Sequence, residues 1–245
     1  MNETSVQLGL LDGAIRLNSA DRESLDLAVN LTRERYVDYA CAIDPQADDG
    51  DAVYWRIVFA LLSVHSPIGA TFKAYKTLRL WSIRFGRKPR FHQTVERILR
   101  ASNADDGAIM YAPTKAWYIA DFTRAWELDS TPYTRQGQTD HDWRLRLVRN
   151  VRGLGIAKAS FAVALCNPLT ATVCCIDTHM YQLFTGAVPR KAIKPSVYFA
   201  LEAQIRRLAR RHKLGVFVVQ WILWDAKRGI PESHNALSDS SRKVA

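Results

Sequence analysis

Apolar and polar positions alternate along this chain with a helical beat almost throughout. Between Ala52 and Ser63, the residues Trp55, Val58, Phe59 and Leu62 fall on one face of a helix. Between Ile68 and Leu80, a basic stripe of Lys73, Lys76 and Arg79 runs opposite an apolar one. No alternation of β-branched residues longer than about five positions competes with this period. The pattern therefore predicts an all-α protein.

Cap and turn residues divide the pattern into elements. Ser19 or Asp21 caps a first helix that runs to Tyr39, and the acidic, turn-rich stretch Pro45–Asp51 links it to the helix Ala52–Ser63. Ser66-Pro67 breaks that helix ahead of Ile68–Leu80. A basic loop, Arg84–Arg90, leads to a helix over His92–Ala101, and Pro113 opens another over Thr114–Glu127. Helices over Asp140–Val148, Ile156–Leu165, Thr178–Thr185, Ser196–His212 and Val216–Asp225 follow, and from Glu232 the chain reads as a frayed polar end.

Composition narrows the class. With 245 residues, 48% of them apolar and seven of them Trp, the chain can bury a substantial core. Cys41, Cys166, Cys174 and Cys175 lack the paired spacing of a zinc ribbon or iron–sulfur cluster, so no metal site and no cofactor is expected. The longest uncharged run, 159–176, is broken by Asn167-Pro168, and the first residues lack the basic-then-apolar order of a secretory signal. The expectation is a cytoplasmic, nucleoid-associated monomer with no membrane partner.

Charge gives the chain a direction. Residues 1–52 hold 11 acidic and four basic residues, so that of a net charge of +10 residues 53–245 carry +17. Such polarisation suits a basic face turned toward a polyanion, with nucleic acid the first candidate.

The densest chemistry lies in LVRNVRGLGIAKASFAVALCNPLTATVCCIDTHM, Leu147 to Met180. Gly153 and Gly155 can take positive φ and bring bare N–H groups to the start of the helix at Ile156, where an anion is favoured. Arg149, Arg152 and Lys158 add charge beside them. Asp177 follows Gly155 by 22 residues and is placed to cap the next helix. As simple structure, the first feature is a tight turn and the second a cap.

Taken together, order and spacing resemble the helix-hairpin-helix (HhH-GPD) DNA glycosylase superfamily, related to endonuclease III and to the 8-oxoguanine and alkyl-base DNA glycosylases. In that family a hairpin of the form leucine-x-glycine-hydrophobic-glycine precedes a catalytic aspartate by about twenty residues. The resemblance covers about residues 53–185. It implies two helical subdomains flanking a DNA-binding cleft, here residues 53–177 on one side and the acidic segment 1–52 with 178–235 on the other, followed by a flexible tail, 236–245. It also implies that Asp177 stabilises an oxocarbenium-like sugar, that Gly153, Gly155, Arg152 and Lys158 bind DNA, and that the partner is double-stranded DNA with a modified or damaged base flipped out of the stack.

One departure bears on mechanism. Members with lyase activity carry a lysine two residues after the second glycine, where this chain has Ala157. Lys158 is one step further, turned by about 100° around the helix, and is expected to point away from the pocket. That favours a monofunctional enzyme using water as nucleophile. Two rivals remain: a phage-type enzyme that modifies a thymine-derived base on the same fold, and a non-catalytic hairpin module that binds DNA.

By the same resemblance, His65 or Ser66 enters the gap left by an extruded base, although His65 before Pro67 also reads as a helix end. Trp117 and Tyr118, with Tyr111 nearby, are candidates for a base-pocket wall, though each ring taken singly reads first as core packing. Lys115 is placed to reach the DNA backbone. His179 reads as a packing residue behind Asp177, and Arg206, Arg207, Arg210 and Arg211 as a solvated basic face.

Overall fold

A computed structural model describes residues 10–11, 14–15, 19–43, 50–229 and 233. Ten α-helices account for most of them: α1 (Ser19–Ile43), α2 (Gly50–Leu62), α3 (Ile68–Phe85), α4 (His92–Ala101), α5 (Ala112–Leu128), α6 (Asp140–Asn150), α7 (Ile156–Cys166), α8 (Thr178–Thr185), α9 (Pro195–His212) and α10 (Val216–Arg228). The all-α expectation holds, with one addition near the start, where Leu10–Leu11 pairs antiparallel with Ala14–Ile15. Most of the Pro45–Asp51 linker and the whole 236–245 tail lie outside the described residues.

Two helices form the centre because their sequences are apolar on every side. Residues Val53–Leu62 of α2 and Ala159–Cys166 of α7 are all buried, and the two helices pack on each other. The small residues Ala159, Ala162 and Ala164 let the backbones approach. Arg56 is the one charge among them. It donates to Ile43 O at 2.8 Å and Cys166 O at 3.4 Å, satisfying carbonyls at the C-terminal ends of α1 and α7 that have no partner within their helices.

Helix ends explain where the structure differs from the pattern. The α3 helix runs five residues beyond Leu80 because Trp81 and Phe85 stack at 4.7 Å and Gly86, at φ 63°, supplies the left-handed cap that stops it. The basic loop is therefore shorter than expected. At its N-terminus α3 has Pro67 in the cap position, and Asp106, from the segment before α5, takes over capping by accepting from Gly69 N at 2.6 Å and Ala70 N at 3.2 Å.

The first helix joins the last two. Tyr36 donates to Asp225 Oδ2 at 2.7 Å and sets its ring edge-on to Trp221 at 5.2 Å. Asp26 meets both Arg211 and His212, the latter at 2.6 Å.

Candidate active site and nucleic-acid interface

Asp177 stands where two elements converge. As N-cap of α8 its Oδ1 accepts from Met180 N at 2.9 Å, and its Oδ2 accepts from Trp224 Nε1 of α10 at 2.8 Å. Both oxygens are thus aimed by N–H donors, and the half-buried carboxylate is fixed against rotation. His179 turns its ring edge-on to Trp224 at 5.8 Å, as expected of a packing residue. Burial lowers its pKa, and Arg228, Lys227 and Lys158 lower it further against the opposing pull of Asp177, so it rests as neutral imidazole at pH 7.

Behind Asp177 the strand-like segment Cys174–Ile176 is held by a buried polar network. Glu202 Oε1 accepts from Cys174 N at 3.0 Å and from Arg144 Nη1 at 2.6 Å. Tyr198 OH donates to Cys174 O at 2.7 Å and accepts from Ile176 N at 3.2 Å. Arg144 is completely buried and also bonds Ser160 Oγ at 3.1 Å and His141 Nδ1 at 2.7 Å. The helices α6, α7 and α9 therefore share in placing Asp177. Burial raises the thiol pKa of Cys175 to about 12 and that of Cys174 well above its ordinary range, so both are inert thiols.

The hairpin between α6 and α7 is built as the Gly-x-Gly spacing predicts, but its two glycines differ. Val151 and Leu154 are buried, and Gly153 has φ 89°. A Cβ at Gly153 would lie 2.3 Å from Tyr118 Cδ2, so both conformation and contact require glycine. Gly155, at φ −81°, has ordinary extended backbone, contrary to the expectation of positive φ. Its importance is space: a Cβ there would meet nothing within 4 Å, and the open volume lies at the N-terminus of α7, whose first turn leaves N–H groups without intrahelical partners.

Trp117 and Tyr118 belong to this hairpin. The Arg152 guanidinium lies 5.4 Å from the Trp117 ring and 6.0 Å from the Tyr118 ring, and Tyr118 packs under Gly153. The contacts that these rings make are with Arg152 and Gly153 of the hairpin, and Trp117 remains exposed.

Lys158 is half-buried on α7 with Nζ 5.3 Å from the Phe161 ring.

The loop after α2 shows what the sequence missed. Lys115 is buried, and its Nζ donates to Leu62 O at 2.6 Å, Val64 O at 2.5 Å and Ser66 Oγ at 2.6 Å. It stitches the loop to α5 rather than reaching DNA. Burial, and secondarily Lys158, pushes its pKa down to about 7, while the three oxygen acceptors favour the ammonium. Ser66 Oγ further accepts from Met110 N at 3.0 Å, so Ser66 is committed to the fold and is withdrawn as a wedge. His65 remains exposed, at φ 51°, and faces Tyr111, also exposed and at φ 56°, with ring centroids 6.3 Å apart. Two non-glycine residues in the left-handed region, on facing loops, cost on the order of 1–3 kcal/mol each. The Lys115 and Asp106 bonds hold the loops against that strain. Composition could have hinted at it, since a lone lysine among apolar neighbours in APTKAWYIADF is a poor candidate for free solvation.

Among the described residues no group of three His, Cys, Asp or Glu could hold a metal, and no helix is long and apolar enough to cross a membrane.

The arrangement of a glycine hairpin, a central pair of buried helices and an aspartate at the following helix N-terminus lies on a fold similar to that of solved 8-oxoguanine DNA glycosylases. The chain superposes on the 8-oxoguanine DNA glycosylase of Methanocaldococcus jannaschii with a TM-score of 0.67 at 14% identity, covering 84% of this chain and 93% of that one. The Thermotoga maritima 8-oxoguanine DNA glycosylase gives 0.67 at 15% identity over 84% and 95%. The M. jannaschii 8-oxoguanine glycosylase/lyase in complex with a 15mer DNA containing 8-oxoguanine gives 0.65 at 14%, over 84% and 98%. No family sequence model and no curated protein sequence matches the chain.

Proposed function

We propose that this protein cleaves the N-glycosidic bond of a damaged or modified base flipped out of double-stranded DNA, with water as the nucleophile. The observation that carries the reading is the doubly anchored carboxylate of Asp177, 22 residues beyond the clamp glycine Gly155. As the bond to the base breaks, the sugar gains positive charge. A fixed carboxylate beside it lowers the barrier and orients the water that adds at C1′. Gly153, Gly155 and Arg152, backed by Trp117 and Tyr118, hold a backbone phosphate. His65 enters the gap left by the base. In this reading residues 53–177 form one side of the cleft, and residues 1–52 with 178–235 the other.

The similarity to a glycosylase/lyase supports a second reading, in which the Lys158 amine attacks C1′ and the enzyme is also a lyase. The test is a set of duplexes each bearing one modified base, 8-oxoguanine first, incubated with the wild type and with Asp177→Asn. Base release by the wild type alone supports the proposal. A mass gain on the base would indicate modification instead, and no change in any duplex a binding module.

A further inference from the structure

The C-terminal end of α3 and the loop to α4 carry a strip of rings and guanidinium groups. Starting from Arg84, whose Cζ lies 5.6 Å from the Phe85 ring, the contacts pass from Phe85 to Trp81 at 4.7 Å, from Trp81 to Arg87 at 6.0 Å, from Arg87 to Phe91 at 5.6 Å, and from Phe91 to Arg90 at 5.3 Å. Phe85 and Phe91 are 51% and 47% exposed, and Arg84, Arg87 and Arg90 are exposed. Rings of this size are normally buried, so their display in a fixed array calls for an occupant.

The array is rigid. Gly86 ends α3 with its N–H and that of Arg87 returned to Ile83 O and Ser82 O, Pro89 is buried, Lys88 is tied to Asp51 at 2.6 Å, and Arg124 donates to Arg90 O at 3.2 Å. Glu127, 3.7 Å from Arg90, is the one carboxylate paired with the strip's arginines among the described residues. Arg84 and Arg87 are left to face an external anion.

We infer that this strip is a second nucleic-acid site that binds an unpaired strand by stacking its bases on Phe85, Phe91 and Trp81 while Arg84 and Arg87 meet its phosphates. An acidic peptide would satisfy the charges but offer no flat faces to the rings, and a duplex hides its base faces within the stack. A single strand presents both groups in alternation, as the strip does. The site lies at the opposite end of α3 from His65. The α3 helix starts just after Ser66-Pro67 and spans 18 residues, which sets its far end about 25 Å away. The inference does not depend on base excision.

The experiment measures anisotropy of a labelled single-stranded oligothymidine with the full chain, using Phe85→Ala/Phe91→Ala, Arg84→Gln/Arg87→Gln and, as a charge control on the exposed face of α9, Arg206→Gln/Arg207→Gln, each checked for folding by circular dichroism. Loss of about tenfold or more in affinity for the ring pair, a comparable loss for the arginine pair, and near-wild-type binding by Arg206→Gln/Arg207→Gln support the site. Unchanged binding by the ring pair overturns it, whatever the arginine pair does, because charge without stacking is not this site. Tighter association of the wild type with vesicles of phosphatidylserine and phosphatidylcholine than with the oligonucleotide, lost in the ring pair, also overturns it and makes the strip a membrane surface.

Discussion

Trp224 and Asp177, 47 residues apart, are joined by an indole N–H that reaches Asp177 Oδ2 at 2.8 Å. The local cap from Met180 N fixes only the other oxygen. The orientation of the carboxylate is thus a property of α8 and α10 together.

Asp177→Asn retains a cap oxygen, so its stability should fall by no more than about 1 kcal/mol. Loss of the negative charge beside the developing sugar cation should cost on the order of 100-fold in single-turnover base release. Trp224→Phe, which keeps the ring but removes the donor, should give a rate between the two. Equal rates for Asp177→Asn and wild type would leave Asp177 as a cap alone.

The hairpin glycines should separate in their effects. Gly153→Ala forces a side chain into the left-handed region and against the Tyr118 ring, and should lower the urea midpoint by an amount worth about 1–3 kcal/mol. Gly155→Val has room within the protein and should fold normally, yet lose duplex affinity as the new side chain occupies the phosphate's place. Full duplex affinity in Gly155→Val would remove the clamp.

Water as nucleophile predicts that borohydride added during turnover traps no protein–DNA adduct. A trapped adduct that disappears in Lys158→Ala would establish the amine route instead.

Lys115 should make stability depend on pH. Its folded pKa, pushed down to about 7, lies below the ordinary value of 10.5, so between those values the unfolded chain binds more protons than the folded one. Its contribution to stability should therefore rise as pH climbs from about 7 toward 9. Urea denaturation of wild type and Lys115→Met at pH 6, 7, 8 and 9 isolates it: the stability difference between them should move in the wild type's favour with increasing pH. A flat difference would mean that the three acceptors keep the ammonium charged throughout.

The Arg144–Glu202 pair should behave as a buried unit. Glu202→Ala leaves an uncompensated guanidinium and frees Cys174 N, at a cost of about 3–5 kcal/mol. Arg144→Met/Glu202→Ala should recover part of that loss in thermal denaturation. Additive losses in the double variant would show that the two residues act separately.

Period and punctuation determined most of the fold. The helices beginning at Ile68, His92, Asp140, Ile156, Thr178 and Val216 start where periodicity and cap residues place them, because amphipathic spacing and helix termination are local properties. The hairpin and Asp177 were legible for the same reason, being a few residues of turn and cap chemistry at short range.

What the tertiary structure decided lies across the chain. Ser66 has a free hydroxyl in sequence and none in the fold, because Lys115, 49 residues on, and Met110, 44 residues on, both bond it. Trp117 and Tyr118 of α5 sit against the hairpin, since helix–helix packing sets which part of each helix meets a neighbour. The second glycine shows the division most sharply: its identity is written in the sequence, but whether it supplies a special φ or an empty space depends on what the fold places around it, and here it is the space.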